Sequence, residues 1–437
     1  MAAFETIAIS YGRDHLSLNM PVGALVTTIA KRPTQKLADA AEAVRRTLIE
    51  PIGSEPLARL ARGRSSACIL ICDITRPVPN RLFLRPMIET MVTAGIALDR
   101  IVIVVATGLH RANLGEELAD LVGDPWVMER VRVENHYARN DGDHVDLGVT
   151  ATRGTPIKLD RRFVEAELRI VTGLVEPHFM AGWSGGRKVI APGVAHHETI
   201  RTFHSARFME DPLAVQCNLI GNPLHEEQLE IVRKLGEVYG LNTVLDEQRD
   251  LVCVTFGEII ASHAAAVEFV SGVTRVPTPR RCKTLVTSAA GYPLDKTYYQ
   301  TIKGMVSPLD ILEPGGTLII ASECSEGFGS EEFRAAQRRL IELGPERFLA
   351  TLTAKSLADV DEWQTEMQLK SMRIGRIELY TSGLSAEERE ITGVEMIANV
   401  DEAVARSIAR ANDPSVVVIP EGPYVVPYFD PTPSLAA

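Results

Sequence analysis

Short apolar segments alternate with amphipathic ones along the first part of the chain. Ala67–Cys72, Arg100–Ala106 and Glu167–Leu174 are dominated by aliphatic residues, as expected of strands that are buried on both faces of a sheet. Ala38–Glu50 and Leu82–Thr93 have the apolar spacing of amphipathic helices. Buried strands that alternate with helices favour a parallel sheet with helices on its faces.

A hairpin precedes this set and a second strand–helix set follows it. Thr6–Ser10 and Leu16–Asn19 alternate with period two, which predicts a hairpin. Near residue 280 the pattern resumes, with strands predicted at Lys283–Ser288, Thr317–Ala321, Arg376–Thr381 and Val416–Pro420 and helices at 296–312 and Ser330–Leu343. The segment 271–283 carries two prolines and four basic residues, which predicts a solvated linker, so we place a domain boundary there.

The pattern thus predicts an α/β protein of two domains, each with a mostly parallel or mixed sheet flanked by helices. Residues 1–275 form an N-terminal cofactor-binding and catalytic domain, and 276–410 form a C-terminal α/β domain. Residues 411–437 are a terminal strand and tail, and the sequence leaves open whether they return to the N-terminal domain.

Charge and cysteine content narrow the function classes. The 46 basic and 57 acidic residues give a net charge of −11, and no dense basic stripe is present, which argues against a nucleic-acid partner. Six scattered cysteines without a CxxC pair favour neither a disulfide framework nor structural zinc. No basic segment with an apolar core opens the chain, and its apolar runs are too short to span a bilayer. We expect a cytoplasmic protein without a membrane partner.

Charged and imidazole side chains follow three of the predicted strands. The loops are DITRPVPN (73–80), TGLHRAN (107–113) and VEPHFMAGWSGGRK (175–188). Because ligands bind at the carboxyl ends of parallel strands, we expect one polar site at this edge of the sheet. His110 and His178 suit an acid/base pair. Arg76 suits a phosphate or carboxylate, unless it pairs locally with Asp73.

The segment 181–188 supports several interpretations. GWSGG fits G-x-S-x-G, so Ser184 raises a serine hydrolase, although the serine does not directly follow a strand. Lys188 beside a glycine-rich loop suits either a covalently bound cofactor or a solvated position. His204, in a predicted helix His197–Met209, is weakly supported as a metal ligand because no second ligand lies three or four residues away.

In this order, DITRPVP, TGLHR, EPHFMAGWSGGRK, GYPLDKTYYQTIKGM (291–305) and ECSEGFGS (323–330) resemble the nickel-pincer-dependent lactate racemase family. The H-x9-K-x15-H spacing of His178, Lys188 and His204 is a specific part of the resemblance. It implies two α/β domains with the active site in the interdomain cleft, and a pyridinium mononucleotide that holds nickel through a pincer of sulfur and carbon donors. Lys188 corresponds to the lysine covalently attached to this cofactor and His204 to the nickel ligand.

The resemblance also assigns the remaining site residues and the reaction. His110 and His178 are the catalytic pair. The other cofactor-binding positions are Asp73, Thr75, Arg76, Gly185 and Gly186, and the substrate-binding positions are Arg76, Gln300, Lys303 and Trp183. The implied reaction is racemisation or epimerisation of a small 2-hydroxy acid by proton-coupled hydride transfer through a 2-keto acid. Cofactor-biosynthesis enzymes are the implied partners. A serine hydrolase using Ser184 and a non-catalytic cofactor-binding protein are the alternatives.

Overall fold

The computed structural model describes residues 6–432, which divide into two compact units. The N-terminal unit consists of Pro33–Phe203 and Asp211–Gly272. The C-terminal unit consists of His204–Glu210 and the described parts of Met1–Arg32 and Val273–Ala437. This division differs from the predicted one, because the hairpin at the start of the chain and the segment that begins at His204 both belong to the C-terminal unit.

The strands are short and lie along the whole described chain. In order they are β1 Thr6–Tyr11, β2 Asp14–Asn19, β3 Leu25–Thr28, β4 Ala67–Cys72, β5 Ile101–Ala106, β6 Arg132–Asn135, β7 His144–Val149, β8 Pro156–Asp160, β9 Leu168–Leu174, β10 Pro177–His178, β11 Gly182–Trp183, β12 Tyr239–Leu245, β13 Leu251–Glu258, β14 Arg275–Thr278, β15 Cys282–Ser288, β16 Leu312–Ala321, β17 Arg376–Tyr380, β18 Glu395–Ile397, β19 Ser415–Ile419 and β20 Val426–Phe429.

Helices connect most of these strands. In order they are α1 Ala40–Ile49, α2 Leu57–Ala61, α3 Leu84–Thr93, α4 Gly115–Val122, α5 Pro125–Arg130, α6 Arg161–Val164, α7 Arg187–Ile190, α8 His197–Phe203, α9 Ala206–Met209, α10 Pro223–Leu235, α11 Ile259–Thr274, α12 Tyr298–Val306, α13 Glu331–Leu343, α14 Pro345–Thr353, α15 Glu362–Ile374, α16 Ala386–Glu390 and α17 Val400–Ala411. Single 3₁₀ turns occur at Asn80–Leu82, Leu98–Arg100, Asp141–Asp143, Leu309–Ile311 and Gly422–Tyr424. Between residues 6 and 432, no helix has the length and apolarity needed to cross a membrane.

The N-terminal unit contains a six-stranded sheet in the order β13-β12-β9-β4-β5-β6. Its neighbouring strands are parallel except for the antiparallel edge pair β12 and β13. Strands β4 and β5 are apolar along their whole length and almost entirely buried. From β4 the chain proceeds outward through β5 and β6, and from β9 it proceeds the other way. The gap between β4 and β9 is therefore the topological switch point, where the loops after these strands flank a crevice.

The C-terminal unit contains a parallel sheet in the order β18-β17-β16-β15-β19-β3. The terminal strand β19 lies between β15 and β3, so it belongs to this sheet and does not return to the N-terminal unit. Its apolar sequence SVVVI is consistent with this, because a strand inside a sheet is covered on both faces. The partner β3, from the N-terminal part of the chain, was not predicted.

The predicted fold class is confirmed, and two local predictions are wrong. The helix expected over His197–Met209 is divided into α8 and α9, because Ser205 has an extended conformation at φ −73° and ψ 156°. The basic segment 271–283 is not only a solvated linker, since β14 pairs in parallel with β20. In that pair the Arg275 guanidinium lies 4.3 Å from the ring centre of Tyr428, so packing of the arginine on an aromatic ring accompanies the strand pairing.

Candidate active site

An ion pair joins the two loops that flank the switch point of the N-terminal sheet. The Arg76 guanidinium, in the loop after β4, donates to the Glu176 carboxylate in the loop after β9. Their side chains are 28% and 22% exposed, so the pair lies at the surface of the crevice and is partly shielded from water. The local pairing of Arg76 with Asp73 that the sequence left open is not observed.

Asp73 is instead committed to His110. One carboxylate oxygen lies 2.5 Å from His110 Nδ1, and the other accepts from the Thr75 hydroxyl at 2.5 Å and the Thr75 amide at 3.1 Å. Burial acts to raise the pKa of Asp73, but the hydrogen bonds and charges of His110, Thr75 and Arg76 outweigh it and hold the pKa below its ordinary value. The side chain of His110 is 61% exposed. The result is an ionised aspartate that orients an accessible imidazole.

His178 is held by its own backbone. It lies in β10, which pairs antiparallel with β11, His178 opposite Gly182. The ring is buried, and its Nδ1 accepts from the amides of Ala181 at 3.2 Å and Met180 at 3.4 Å. Gly182 has φ +77°, and a Cβ at this position would lie 2.3 Å from the Asn218 carbonyl oxygen. The tight turn that orients His178 therefore requires glycine at 182.

Lys188 lies in the short helix α7, close to the end of β4. The pKa of the Cys72 thiol, at the last residue of β4, is raised to about 11 by burial, although the charges of Arg76 and Lys188 oppose this shift. Helix α7 itself packs against β4 and β9. The three predicted loops meet at this edge of the sheet, because Asp73 of the first loop contacts His110 of the second and Arg76 of the first pairs with Glu176 of the third.

The two glycines before Lys188 are explained by packing within the protein. Gly185 and Gly186 have φ +75° and +49°. A Cβ on Gly185 would lie 2.7 Å from Val175, and one on Gly186 would lie 2.8 Å from the His263 ring. Positive φ and close approach to these side chains account for both glycines, which the resemblance assigned to cofactor binding.

Arg187 is a part of the site that was not predicted from the sequence. Arg187 is buried, and its guanidinium donates to the carbonyl oxygens of Ala181 at 2.9 Å and Trp183 at 3.2 Å. Within the part of the chain that the structure describes, no carboxylate pairs with it, and burial lowers its pKa to about 9. Arg187 thereby fixes the loop between His178 and Lys188. An arginine inside an otherwise apolar and glycine-rich segment was the available signal.

Trp183 does not have the location expected of a substrate-binding residue. Its side chain is 2% exposed and belongs to a core cluster with Val175, Val244, Val252, Ala266 and Val270. Packing against these aliphatic residues accounts for its bulk, and the ring does not contribute an exposed wall to the site.

Ser184 has a structural environment that does not suit a nucleophile. Its hydroxyl donates to the Leu174 carbonyl oxygen at 2.7 Å and accepts from the Glu176 amide at 3.0 Å. The imidazole nearby, His263, contacts the Ser184 carbonyl oxygen at 2.8 Å. A serine hydrolase requires the base to contact the hydroxyl, so these contacts argue against that alternative.

Ser184→Ala is therefore expected to affect stability more than catalysis. Two buried backbone groups would lose their side-chain partner, which costs about 1–3 kcal/mol of unfolding free energy. Chemical denaturation measures this loss, and turnover at the site should stay within a few-fold of wild type. An esterase activity that is present in the wild type and absent from the variant would instead support the hydrolase.

In the C-terminal unit, His204 lies between α8 and α9 and is buried. Its ring packs on Trp363 of α15, with 4.8 Å between the ring centres. At the end of the same segment, Glu210 forms a two-fold ion pair with Arg373, at 2.7 and 2.9 Å. These contacts attach the segment His204–Glu210 to α15. Trp363, too far away in sequence to be associated with His204, was not predicted.

Gln300 and Lys303 lie one turn apart on α12, as predicted. The helix begins after Thr297, whose hydroxyl accepts from the Gln300 amide. The side-chain carbonyl oxygen of Gln300 is buried without a hydrogen-bond partner among residues 6–432. A buried acceptor of this kind is suited to receive a donor from a ligand.

The buried carboxyl group of Glu366 predicts a dependence of stability on pH. Burial, and then the negative charge of Glu210, raise the pKa of Glu366. The native state therefore keeps a proton that the unfolded chain has already released, and unfolding free energy falls as pH rises toward the native pKa. Denaturation between about pH 6 and 8 should show a decline of up to about 1.4 kcal/mol per pH unit. Glu366→Gln should reduce this slope, whereas the exposed Glu342→Gln should not; equal slopes for wild type and Glu366→Gln would contradict the assignment.

Both parts of the chain match known family models. The lactate racemase N-terminal domain matches residues 11–216, and the lactate racemase C-terminal domain matches residues 278–426. A lactate racemase from Lactiplantibacillus plantarum is 31% identical over 386 residues, which cover 87% of this chain and 89% of that protein. The chain belongs to the lactate racemase family. It is accordingly an isomerase of the racemase class.

Further similarities extend over almost the whole chain. A lactate racemase from Thermoanaerobacterium thermosaccharolyticum is 29% identical over 426 residues, 96% of this chain and 98% of that protein. The structure of the lactate racemase apoprotein from this organism matches with a TM-score of 0.88 at 28% identity, covering 97% of this chain and all of that one. A Thermotoga maritima protein of 16% identity, which covers 92% of this chain and all of its own, shares the fold at a TM-score of 0.66.

Proposed function

We propose that the protein racemises a small 2-hydroxy acid, with lactate as the first substrate to test, using a nickel-pincer nucleotide attached to Lys188. The observation that supports this proposal best is the hydrogen bonding of His110 and His178. Each ring is held through Nδ1, and the two sets of partners favour opposite protonation of the second ring nitrogen, Nε2. A racemase requires one group to accept a proton and another to donate one, with the roles exchanged for the opposite enantiomer.

His110 is suited to be the base in the resting site. Its Nδ1 faces the ionised Asp73, so Nδ1 carries the proton and Nε2 has the lone pair. His178 is suited to be the acid, because its Nδ1 accepts two amide hydrogens and the proton of the neutral ring is therefore on Nε2. Removal of the substrate hydroxyl proton by His110 would leave an imidazolium that Asp73 stabilises. Donation from His178 would complete the opposite step.

The residues fit the cofactor in chemical type. Lys188 supplies an amine for covalent attachment, His204 supplies an imidazole for nickel, and Arg76 supplies a guanidinium for a phosphate or carboxylate. The chemistry that the bound group supplies is reversible uptake of hydride from the α-carbon, which makes this carbon planar. Asp73 and Thr75, by contrast, are better explained as the residues that orient His110. Gln300 and Lys303 remain proposed substrate-binding residues.

The ion pair of Arg76 with Glu176 leads to a prediction about affinity. An anionic substrate that binds Arg76 has to compete with Glu176 for the same guanidinium. Glu176→Gln is therefore expected to lower KM for a 2-hydroxy acid by about two- to ten-fold at low salt, with kcat little changed, because a screened ion pair of this kind contributes roughly 1 kcal/mol. Steady-state kinetics measures both constants, and Glu165→Gln, at the residue after α6, is the control. A higher KM would mean that Glu176 positions Arg76 for the substrate.

Chiral chromatography tests the proposed function directly. The full chain is co-expressed with cofactor-biosynthesis enzymes, loaded with nickel, and incubated with each enantiomer of lactate and of larger 2-hydroxy acids. We expect at least one 2-hydroxy acid to reach the racemic mixture whichever enantiomer is supplied. If loaded protein carries the cofactor and leaves every enantiomer unchanged, the non-catalytic alternative is supported; ester hydrolysis that depends on Ser184 would support the hydrolase.

A further inference from the structure

Four histidines form a row in the N-terminal unit, and the proposed function uses none of them. His136, His144, His196 and His197 follow one another with ring centres 5.1, 4.9 and 4.2 Å apart. The row runs from the end of β6 to the first residue of α8 and passes the 3₁₀ turn Asp141–Asp143. The side-chain contacts separate these four histidines into two groups.

His136 has the contacts of a structural residue. Its Nδ1 lies 3.1 Å from Asp160 and its Nε2 lies 3.0 Å from the Ala195 carbonyl oxygen. Both ring nitrogens are therefore occupied. His144 is bonded only at Nδ1, 2.7 Å from the Asn140 carbonyl oxygen, and its Nε2 is buried without a partner among the described residues. A buried nitrogen left in this state is costly unless something binds it.

The other end of the row brings three metal-ligand types together. One ligand atom from each of Asp141, His196 and His197 can be chosen so that all three lie within 4.8 Å of one another. Ligands about 2.0 Å from a tetrahedral cation are about 3.3 Å apart, so a modest movement completes the geometry. The Asp141 side chain has room for this movement, because it is 89% exposed.

The ring nitrogens at this end are suited to metal binding. His196 Nε2 lies 2.8 Å from Asp141, and its Nδ1 accepts from the Glu198 amide over a long 3.3 Å. A cation bound at Nε2 would displace the proton that His196 now donates to Asp141. If Nδ1 took up this proton, the weak hydrogen bond from the Glu198 amide would be lost.

The charges near the three residues are mixed. Lys158 is paired with Glu198 at 2.5 Å, and Arg201 adds a positive charge near His197 that the charges of Asp141 and Glu198 oppose. The ring of His144 meets that of His196 at 78°. The ring of His144, whose Nε2 has no hydrogen-bond partner among residues 6–432, therefore lies beside the group.

We propose that Asp141, His196 and His197 form a second metal site, separate from His204, that binds one divalent cation of the Zn²⁺, Co²⁺ or Ni²⁺ class. Two imidazoles and one carboxylate favour these ions over Mg²⁺ or Ca²⁺, which prefer oxygen ligands. Water completes the coordination because only three protein atoms are offered. His144 lies next to the site as a further nitrogen donor or as a hydrogen-bond acceptor for that water.

Titration of the full chain with Co²⁺ tests this proposal. The chain is produced without cofactor-biosynthesis enzymes, and metal content and visible absorption are followed as Co²⁺ is added, with Zn²⁺ as the competitor. We expect one equivalent bound through nitrogen and oxygen ligands, and a weakening of at least about ten-fold in Asp141→Asn and in His197→Ala. Asp141 is exposed, so its replacement should not disturb folding; circular dichroism verifies this.

Matched variants distinguish Co²⁺ binding at this site from Co²⁺ binding elsewhere on the protein. Asp143→Asn, in the same 3₁₀ turn, and His15→Ala, an exposed histidine elsewhere, should leave the equivalent of Co²⁺ intact. His204→Ala should also leave it intact, since the proposed site does not include His204. Unchanged affinity in both Asp141→Asn and His197→Ala would overturn the proposal, as would loss of the same equivalent in His204→Ala. Because no turnover is measured, failure here is independent of the proposed racemase activity.

Discussion

Lys188→Ala is expected to abolish both the covalently bound cofactor and racemisation. The amine of Lys188 is the only point at which the proposed function attaches the group that carries the hydride chemistry. Without it, His110 and His178 retain their positions but have no acceptor for the α-hydrogen. Turnover should fall to that of a blank without enzyme. Intact mass spectrometry of co-expressed protein measures the adduct, and chiral chromatography measures turnover.

Two further variants distinguish loss of covalent attachment of the cofactor from loss of the positive charge and from general effects of replacing a lysine. Lys188→Arg keeps the positive charge near Cys72 and Arg76 but cannot form the covalent link, so it should also lack the adduct. Lys234→Ala, an exposed lysine of α10, should carry the adduct at the wild-type level. An intact adduct in Lys188→Ala would contradict the assignment of this residue. If the variant lost the adduct but kept its turnover, the proposed role of the cofactor would be contradicted.

The fold could be predicted from local patterns because strands β4 and β5 of the N-terminal sheet are apolar throughout. Ala67–Cys72 and Ile101–Ala106 have no polar face, so they have few alternatives to the interior of a parallel sheet. The edge strand β3 could not be predicted in the same way, because LVTT is short and mostly exposed. Its place beside β19 is a contact between the two ends of the chain, and periodicity contains no information about it.

The residues of the site could be predicted in part, but the contacts between them could not. The rule that polar loops meet at the carboxyl edge of a sheet identified the loops of Asp73, His110 and Lys188. It did not show that Arg76 pairs with Glu176, because that bond joins residues 100 positions apart. Nor did it separate Trp183, whose neighbours are core side chains, from a residue that lines a pocket.

Asp73 shows most clearly what the structure adds. The resemblance to the family placed it with the cofactor-binding residues, together with Thr75 and Arg76. The contacts distinguish these three: Thr75 donates to Asp73, and Asp73 faces His110, while Arg76 pairs with Glu176. Asp73 is thus a positioning residue for the imidazole. This difference leads to a kinetic test that a cofactor-binding role would not pass.

Asp73→Asn is expected to lower kcat by about 10²–10⁴-fold while leaving the cofactor adduct intact. An asparagine can donate to His110 Nδ1, which places the ring proton on Nε2 and removes the lone pair that the base requires; a comparable change in a Ser-His-Asp triad has an effect of about 10⁴. Asparagine also cannot stabilise the imidazolium as a carboxylate does. KM should change little, because Asp73 faces His110 and Thr75.

The control for Asp73→Asn is Glu117→Gln. Glu117 pairs with Arg111 in the same region at 2.7 Å and has no contact with His110, so its replacement should leave kcat within a few-fold of wild type. Turnover is measured from each enantiomer across a range of pH, and the adduct by mass spectrometry. Wild-type turnover in Asp73→Asn would contradict the positioning role of Asp73. Loss of the adduct would support cofactor binding by Asp73 instead.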